Sequence, residues 1–353
     1  MTEKRIFKMT KKLMVGSVPV GGGTPVTIQS MCNTKTDQVD ATVAQIHALE
    51  AAGCEIIRIA VPDEAAAMAV DRIKEQITSP LIADIHFNYK LAIMCAERGI
   101  DALRINPGNI GGEERVKAVA EACRRKRIPI RIGVNGGSLE KSLRAKYGGV
   151  TAEALVESAM GHVKLLNRYD FDDICISVKC SDVPLTMRSY TLLSQQTDYP
   201  LHLGVTEAGT PAMGMIKSAM GIGGLLCMGI GDTMRVTLTA DPVEEVYAAQ
   251  RILRAAGLRR DGVNLIACPT CGRTRIDLIP MAEEVERRLA GCKKNITVAV
   301  MGCAVNGPGE ASAADVGIAG GDGEGLIFRN GEILYKVPQE QLVDALMKEI
   351  EKL

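Results

Sequence analysis

Residues 55–61, "EIIRIAV", form a short apolar run rich in β-branched residues, which is typical of a buried strand. The segment before it, "VDATVAQIHALEAAG" at 39–53, has helical periodicity and ends on a glycine that can cap a helix. The same alternation recurs between residues 26 and 257, and it predicts eight strands at 26–31, 55–61, 80–87, 102–108, 129–135, 173–179, 200–209 and 232–238. Eight strand and helix units predict a closed (β/α)8 TIM-type barrel, with a doubly wound open sheet as the alternative.

The repeat stops near residue 257, and a second organisation follows it. "LRRDGVN" at 258–264 predicts a linker between a barrel domain at 1–257 and a smaller domain at 265–353. The smaller domain is predicted to contain strands at 263–267 and 296–301, a helix at 277–290, a hairpin at 326–337 and a helix from 338. The sequence therefore predicts a TIM-type barrel followed by a small α+β domain, with a short hairpin at 15–25 closing the base of the barrel.

Charge and composition exclude several classes of partner. The 353 residues contain 42 Lys plus Arg and 42 Asp plus Glu, so the chain has no bulk positive charge for nucleic acid or anionic lipid. No run of about 18 apolar residues is present, and the polar N-terminus lacks the apolar region of a signal peptide. We therefore expect a cytoplasmic protein with no nucleic-acid or membrane partner, whose eleven cysteines are reduced.

Cationic residues alternate with apolar residues along the predicted strands. If the apolar face meets the helices, the polar face points into the barrel, because side chains alternate across a strand. The residues predicted to point inward are Arg58, Asp84, His86, Arg104, Asn106, Arg131, Asn135, Lys179, Arg235 and Thr237. Burying five inward cations beside few carboxylates costs free energy unless a bound anion neutralises them, and guanidinium groups hydrogen-bond well to phosphate oxygens. The pattern predicts a phosphate or diphosphate site at the mouth of the barrel.

Three cysteines in the smaller domain have the spacing of metal ligands. Cys268 and Cys271 form a C-x2-C pair in "CPTCGR", and Cys303 lies in "MGCAVNGPGE". A zinc site would need a fourth ligand, for which Cys292 is a candidate. An iron–sulfur cluster with one distinctive iron would take a different donor, and Glu310 follows Cys303 by seven residues across a turn-forming segment. Spacing alone leaves both hypotheses open.

These motifs together resemble the bacterial 4-hydroxy-3-methylbut-2-enyl diphosphate synthase family of the non-mevalonate isoprenoid pathway. The two cysteine motifs match its C-terminal signature, and "QSM", "ADIHF", "RINPGN", "RIGVN", "SVK", "LGVTEAG" and "GIGDTMRVTLT" occur in the family's order. The resemblance covers essentially the whole chain. One departure is Thr237, where the family pattern has serine, and a hydroxyl donor is retained.

The resemblance implies a chemistry and a set of site residues. It implies that Cys268, Cys271, Cys303 and Glu310 bind a [4Fe–4S] cluster. The family's substrate is 2-C-methyl-D-erythritol 2,4-cyclodiphosphate, whose ring is opened and dehydroxylated with two electrons from flavodoxin or ferredoxin. The inward residues would then surround the cyclodiphosphate, and Glu207 would be a catalytic residue hydrogen-bonded to a substrate hydroxyl.

The resemblance also implies a homodimer in which the cluster domain of one subunit lies over the barrel of the other. Two alternatives belong to other functional classes. One is a barrel methyltransferase that uses a pterin or corrinoid, since "TPVTIQSM" also resembles pteroate-binding barrels. The other is a zinc-ribbon interaction protein.

Overall fold

The computed structural model of the chain describes residues 8–260, 262–290, 292–303, 311 and 314–353. These residues divide into two compact units, and the division falls between Leu258 and Arg259. The predicted linker at 258–264 begins at this division. Among the described residues, no helix combines the length and the apolar character needed to cross a bilayer.

A hairpin and eight parallel strands form the sheets of the first unit. The strands are β1 (Leu13–Val15), β2 (Val18–Val20), β3 (Thr27–Met31), β4 (Ile56–Ala60), β5 (Leu81–Ile85), β6 (Ala102–Ile105), β7 (Ile130–Asn135), β8 (Ile174–Lys179), β9 (His202–Leu203) and β10 (Thr233–Met234). The parallel sheet has the order β8-β7-β6-β5-β4-β3-β10-β9. A single bridge between Ile176 and Leu201 links its two ends, so the sheet is a nearly closed barrel. This confirms the predicted (β/α)8 architecture.

Helices in the connections between strands cover the apolar outer face of the barrel. They are α1 (Val39–Ala51), α2 (Glu64–Met68), α3 (Val70–Lys74), α4 (Tyr89–Glu97), α5 (Pro107–Ile110), α6 (Glu113–Lys126), α7 (Lys141–Tyr147), α8 (Ala152–Asn167), α9 (Val183–Gln196), α10 (Pro211–Ser218), α11 (Gly224–Cys227) and α12 (Pro242–Ala255), with a π-helical turn at Ala219–Gly223. At the base of the barrel, β1 and β2 pair as the predicted hairpin, and Val15 and Val20 pack against Ile56 and Ile82.

Three of the barrel strands end at least three residues before their predicted C-terminal boundary. The strand predicted at 102–108 ends at Ile105, because Asn106 caps a helical turn that begins at Pro107. The strand predicted at 200–209 contains only His202 and Leu203. The strand predicted at 232–238 contains only Thr233 and Met234. Polar residues predicted beyond these ends therefore lie on loops at the mouth of the barrel.

The second unit, within its described residues, has a five-stranded mixed sheet and two helices. Its elements are β11 (Asn264–Ala267), α13 (Leu278–Leu289), β12 (Thr297–Met301), β13 (Val316–Gly320), β14 (Glu324–Arg329), β15 (Glu332–Pro338) and α14 (Leu342–Glu351). The sheet order is β11-β12-β13-β14-β15, in which the first three strands are parallel. The predicted hairpin turns as expected on Asn330 and Gly331, both at positive φ.

Two details of this unit differ from the prediction. Strand β13 was not predicted from its sequence "VGIAG", which is poor in large β-branched residues. Its Gly317 is required because a Cβ there would collide with Phe328 and Ala299. Helix α14 begins at Leu342 rather than 338, because Pro338 still belongs to β15 and a 3-10 turn at Gln339–Gln341 follows it.

Candidate active site

The first unit places five cationic side chains inside the barrel, as the alternation predicted. Arg104, Arg131 and Lys179 are buried, and the side chains of Arg58 and Arg235 are 12% and 14% exposed. The outward-facing Ile57, Ile59 and their counterparts on the other strands pack in the core with the helices. The apolar and polar residues of the strands therefore face the directions that period-two alternation requires.

Asp84 compensates two of the five cations. One of its oxygens accepts a hydrogen bond from Arg104 Nη1 at 3.1 Å, and the other lies 3.7 Å from Arg58 Nε and 3.8 Å from His86 Nε2. Burial acts to raise the pKa of the Asp84 carboxyl, but Arg58 and Arg104 outweigh it and hold the pKa below its usual value. Asp84 is therefore an ionised structural partner of the neighbouring guanidinium groups.

Arg235 has a carboxylate partner that the sequence analysis did not identify. Its Nε and Nη2 donate to the two oxygens of Glu245 at 3.1 and 3.3 Å. Glu245 is buried on α12, at helical spacing from the buried Ala249 and Ile252. A carboxylate on the apolar face of a helix is the signal in the sequence that could have revealed it.

Arg131 and Lys179 lack carboxylate partners among the described residues. Arg131 Nη1 donates to Gln29 Oε1 at 2.8 Å, while its buried Nε and Nη2 have no hydrogen-bond partner in the described part of the chain. The Lys179 ammonium makes no hydrogen bond or ion pair with any described residue. Burial, and next the charge of Arg131, hold the pKa of Lys179 well below its usual value. Burial likewise lowers the pKa of Arg131 to about 10.

The barrel interior thus carries a net positive charge among the described groups. Four guanidinium groups, those of Arg58, Arg104, Arg131 and Arg235, face the two carboxylates Asp84 and Glu245, and four minus two leaves two positive charges, to which Lys179 adds a third when it is protonated. Buried charges of one sign repel each other unless a ligand of opposite sign joins them. The charge of the interior therefore suits a multiply charged anion.

Two glycines provide the space that these cations occupy. A Cβ on Gly133 would collide with the Arg104 guanidinium, and a Cβ on Gly204 would collide with the Lys179 ammonium. Gly133 lies in β7, and Gly204 directly follows β9. The glycines in "RIGVN" and "LGVTEAG" are thus explained by the side chains that pass over them.

The remaining predicted residues lie around this site in different ways. His86 is exposed beyond the end of β5. Asn106 Oδ1 accepts from Gly108 N at 3.1 Å and caps α5. With its amide correctly oriented, Asn135 accepts from Arg104 Nη2 at 3.3 Å and donates to Val134 O. Thr237 is half-buried and lies past the end of β10.

Glu207 lies in the loop after β9, on the side of the barrel where the strands end. It is exposed and has no hydrogen-bond or ion-pair partner among the described residues. Its φ of 51° is in the left-handed region, which is uncommon for a residue other than glycine, asparagine or aspartate. Backbone strain of this kind is concentrated at functional sites, and it is consistent with a Glu207 side chain oriented to contact a ligand.

The three predicted thiol ligands follow neighbouring strands of the second unit. Cys268 directly follows β11, and Cys303 lies two residues beyond β12, which pairs with β11 in parallel. The Gly302 N–H donates to Cys268 Sγ at 3.0 Å, and the Cys271 N–H donates to Thr274 Oγ1 at 3.1 Å. Cys268 and Cys303 therefore lie at the same edge of the sheet, while Glu310 is outside the described residues.

Cys292 lies at the opposite edge of the sheet. It precedes β12, whereas Cys303 follows it, and five strand residues span about 16 Å. Within the described ranges, no three His, Cys, Asp or Glu side chains converge as a single metal ion requires. A four-iron cluster instead holds its thiolates apart on separate irons, and amide donation to a ligating sulfur suits such a site. The three thiols and this amide donor fit an iron–sulfur cluster.

Comparisons with known proteins match both units. Residues 10–250 match the family model described as the GcpE TIM-barrel domain, and residues 264–352 match the GcpE protein C-terminal domain. A relative from Geobacter sulfurreducens, named 4-hydroxy-3-methylbut-2-en-1-yl diphosphate synthase (flavodoxin), is 61% identical over 98% of both chains. A relative of the same name from Clostridium perfringens is 60% identical over 98% of this chain and 99% of its own.

A solved structure adds a comparison at the level of the fold. The structure of 3-dehydroquinate dehydratase from Geobacillus kaustophilus aligns with a TM-score of 0.51 and 13% identity. The alignment covers 70% of this chain and 98% of that chain. At this identity the likeness shows the barrel fold alone.

Proposed function

Since the chain belongs to the GcpE family, we propose that it converts 2-C-methyl-D-erythritol 2,4-cyclodiphosphate into (E)-4-hydroxy-3-methylbut-2-enyl diphosphate. The chain is an oxidoreductase of the non-mevalonate pathway. Written for the neutral acids, the substrate takes up two electrons and two protons, one carbon–oxygen bond to phosphate breaks, and one hydroxyl leaves as water. The resemblance found in the sequence is confirmed over the full length, and the methyltransferase and zinc-ribbon alternatives are set aside.

The excess positive charge in the barrel is the observation that supports this substrate most directly. A cyclic diphosphate carries two negative charges, and opening its ring creates a further ionisable phosphate oxygen. The interior has two positive charges beyond its own carboxylates and a third when Lys179 is protonated, so it becomes more complementary as the phosphate departs. Arg131 and Lys179, which have no carboxylate partner among the described residues, supply donors for these oxygens.

We assign the metal site to Cys268, Cys271 and Cys303, with Glu310 as the fourth ligand implied by the family resemblance. A [4Fe–4S] cluster bound there would supply electrons one at a time and an exchangeable iron for an oxygen ligand. The chain itself contributes three thiolates and the Gly302 N–H bond to Cys268 Sγ. All eleven cysteines are free thiols, in keeping with the reducing cytoplasmic location that we propose.

Glu207 is the residue that we assign to proton delivery. Hydroxide is a poor leaving group, so loss of the substrate hydroxyl requires a proton at its oxygen. The exposed Glu207 carboxyl at the barrel mouth has no competing partner among the residues described. In this role it donates a hydrogen bond, and then the proton, to the departing hydroxyl.

Conversion by the purified enzyme tests the proposed function. Anaerobically purified holoenzyme with reduced flavodoxin should replace the ³¹P resonances of the cyclic diphosphate with those of a linear diphosphate. The relatives' name favours flavodoxin as the donor, and ferredoxin is the alternative partner to be compared at equal concentration. Absence of conversion with either donor, by enzyme containing iron and sulfide, would refute the assignment.

Removal of Arg131 or Lys179, the two barrel cations without a carboxylate partner among the described residues, should weaken substrate binding. Arg131→Ala and Lys179→Ala each delete charge-assisted hydrogen bonds to phosphate oxygens, so KM should rise by about ten- to a hundredfold. Iron content should not change, because both residues lie in the first unit. Lys126→Ala, which removes an exposed cation at the end of α6, is the matched control and should stay within twofold of wild type. Normal kinetics in both barrel variants would show that these cations are structural.

We further propose, from the family resemblance, that the active site combines the barrel of one subunit with the iron–sulfur domain of the other. Mixing Lys179→Ala chains with Cys303→Ser chains tests this arrangement. At a substrate concentration well below the wild-type KM, each variant should be nearly inactive alone. A mixed dimer would contain one site with an intact barrel and an intact cluster, so random mixing should restore about a quarter of wild-type activity. No recovery in dimers verified to be mixed would show that each site is built within one chain.

A further inference from the structure

The loop segment at residues 235–238 carries two of the predicted substrate-binding residues, yet it lies outside the sheet. Strand β10 ends at Met234, so Arg235 and Thr237 follow its last residue. One backbone bond, from Arg235 N to Leu203 O at 3.0 Å, continues the ladder beyond that point. The segment therefore needs another source of order if Arg235 is to hold a fixed position.

Glu245 on α12 provides four contacts to this region. Its Oε2 accepts from Arg235 Nε at 3.1 Å and from Ser30 Oγ at 3.2 Å. Its Oε1 accepts from Leu238 N at 3.1 Å and from Arg235 Nη2 at 3.3 Å. One buried carboxylate thus joins β3, the Arg235 guanidinium and the backbone of the segment after β10.

These contacts satisfy the hydrogen-bonding capacity of the buried Glu245 carboxylate. Each oxygen accepts two hydrogen bonds, and the paired guanidinium neutralises its charge, so its burial is tolerated. The Leu238 N–H is a donor that a longer β10 would have bonded to a neighbouring strand. Glu245 takes the place of the missing ladder at this point of the barrel.

We propose that Glu245 is a positioning residue for anion binding, which fixes Arg235 and the 235–238 segment at the mouth of the barrel. This inference rests on the proposed function only in naming the cyclodiphosphate as the anion. The neutral amide of glutamine in its place would present a donor to Arg235 or to Leu238 N, where only acceptors fit. Arg235 would then lose its fixed orientation without being removed.

Binding of inorganic pyrophosphate to the full-length holoenzyme, measured by calorimetry, tests the inference. Glu245→Gln should weaken pyrophosphate binding by about ten- to a hundredfold and speed amide exchange at Leu238. In turnover the same variant should raise KM more than it lowers kcat, since Arg235 binds the anion before and during the reaction. Glu244→Gln is the matched control, because it removes an exposed carboxylate from the adjacent position of α12. The control should remain within twofold of wild type.

A double-mutant cycle separates positioning from general destabilisation. In an Arg235→Met background, adding Glu245→Gln should cost less than about threefold in pyrophosphate affinity, because the residue through which it acts is gone. If the glutamine variant does not fold, Glu245→Asp keeps the charge but cannot reach both partners, and it should weaken binding at least about threefold. The inference would be overturned if the Glu245 variant bound pyrophosphate as tightly as Glu244→Gln does. It would also be overturned if Glu245→Gln weakened binding as much in the Arg235→Met background as in the wild type. Wild-type enzyme that binds pyrophosphate without converting the cyclodiphosphate would refute the proposed function, and the affinity ratios would still decide the role of Glu245.

Discussion

Cys268→Ser, Cys271→Ser and Cys303→Ser should each lose most of the bound iron and all measurable turnover. A serine hydroxyl is a harder and much less acidic ligand than a thiol, so it replaces neither the charge nor the soft donation of the thiolate. The three cysteines belong to loops after β11 and β12, where no other described thiol can replace them. Iron and sulfide analysis of anaerobically purified protein, with visible absorption, measures the loss.

Cys292→Ser is the matched control for these variants. Cys292 precedes β12, at the opposite edge of the sheet from Cys303, so its loss should leave iron content and turnover unchanged. Glu310→Ala should reduce turnover strongly while retaining part of the iron, because three thiolates remain. A colourless Cys292→Ser protein together with a brown and active Glu310→Ala protein would contradict this ligand set.

Glu207→Gln should lower kcat by about a hundredfold or more and leave the brown colour and the substrate affinity nearly unchanged. Glutamine keeps the shape and most hydrogen bonds of glutamate, but it cannot release a proton at useful pH. General acid catalysis typically contributes about 10²–10⁴-fold, which sets the expected loss. Steady-state kinetics and single-turnover rates with reduced enzyme measure the effect on the chemical step.

Glu114→Gln provides the control for Glu207→Gln. Glu114 is an exposed glutamate in the first turn of α6, and its amide variant should retain wild-type kinetics. The strained backbone at Glu207, with φ at 51°, should persist in the glutamine variant, so a change in fold does not explain a loss of turnover. More than half of wild-type turnover in Glu207→Gln would remove this carboxyl from the mechanism.

Side-chain alternation was sufficient to predict the barrel and the orientation of its cations. Runs such as "EIIRIAV" predict both a strand and the residues on each of its two faces. This is possible because a buried parallel strand has few positions at which a charged side chain is tolerated. Arg58, Arg131 and Lys179 were placed inside the barrel from this pattern alone, and the structure places them there. The alternation of apolar residues along a strand is a local property of the sequence, and so is the face that it buries.

Features that depend on contacts between distant residues were not predicted. Pairing of Arg235 with Glu245 joins a loop to a helix, and Arg131 with Gln29 joins two strands 102 residues apart in sequence. The short β9 ends where Gly204 makes room for Lys179, a side chain from another strand. Such contacts depend on how the barrel closes. The alternation of residues within one strand does not indicate which distant residue a side chain contacts.

The most direct test of reduction through the cluster is a count of product against electrons supplied in limiting amount. Holoenzyme is mixed anaerobically with an excess of 2-C-methyl-D-erythritol 2,4-cyclodiphosphate, and a measured, limiting amount of reduced flavodoxin is added. The proposed mechanism predicts one molecule of linear diphosphate product for every two electrons that pass through the iron–sulfur cluster, and no product from Cys303→Ser protein treated in the same way. Equal product from cluster-free protein, or a cluster that stays fully reduced in the presence of substrate, would contradict it.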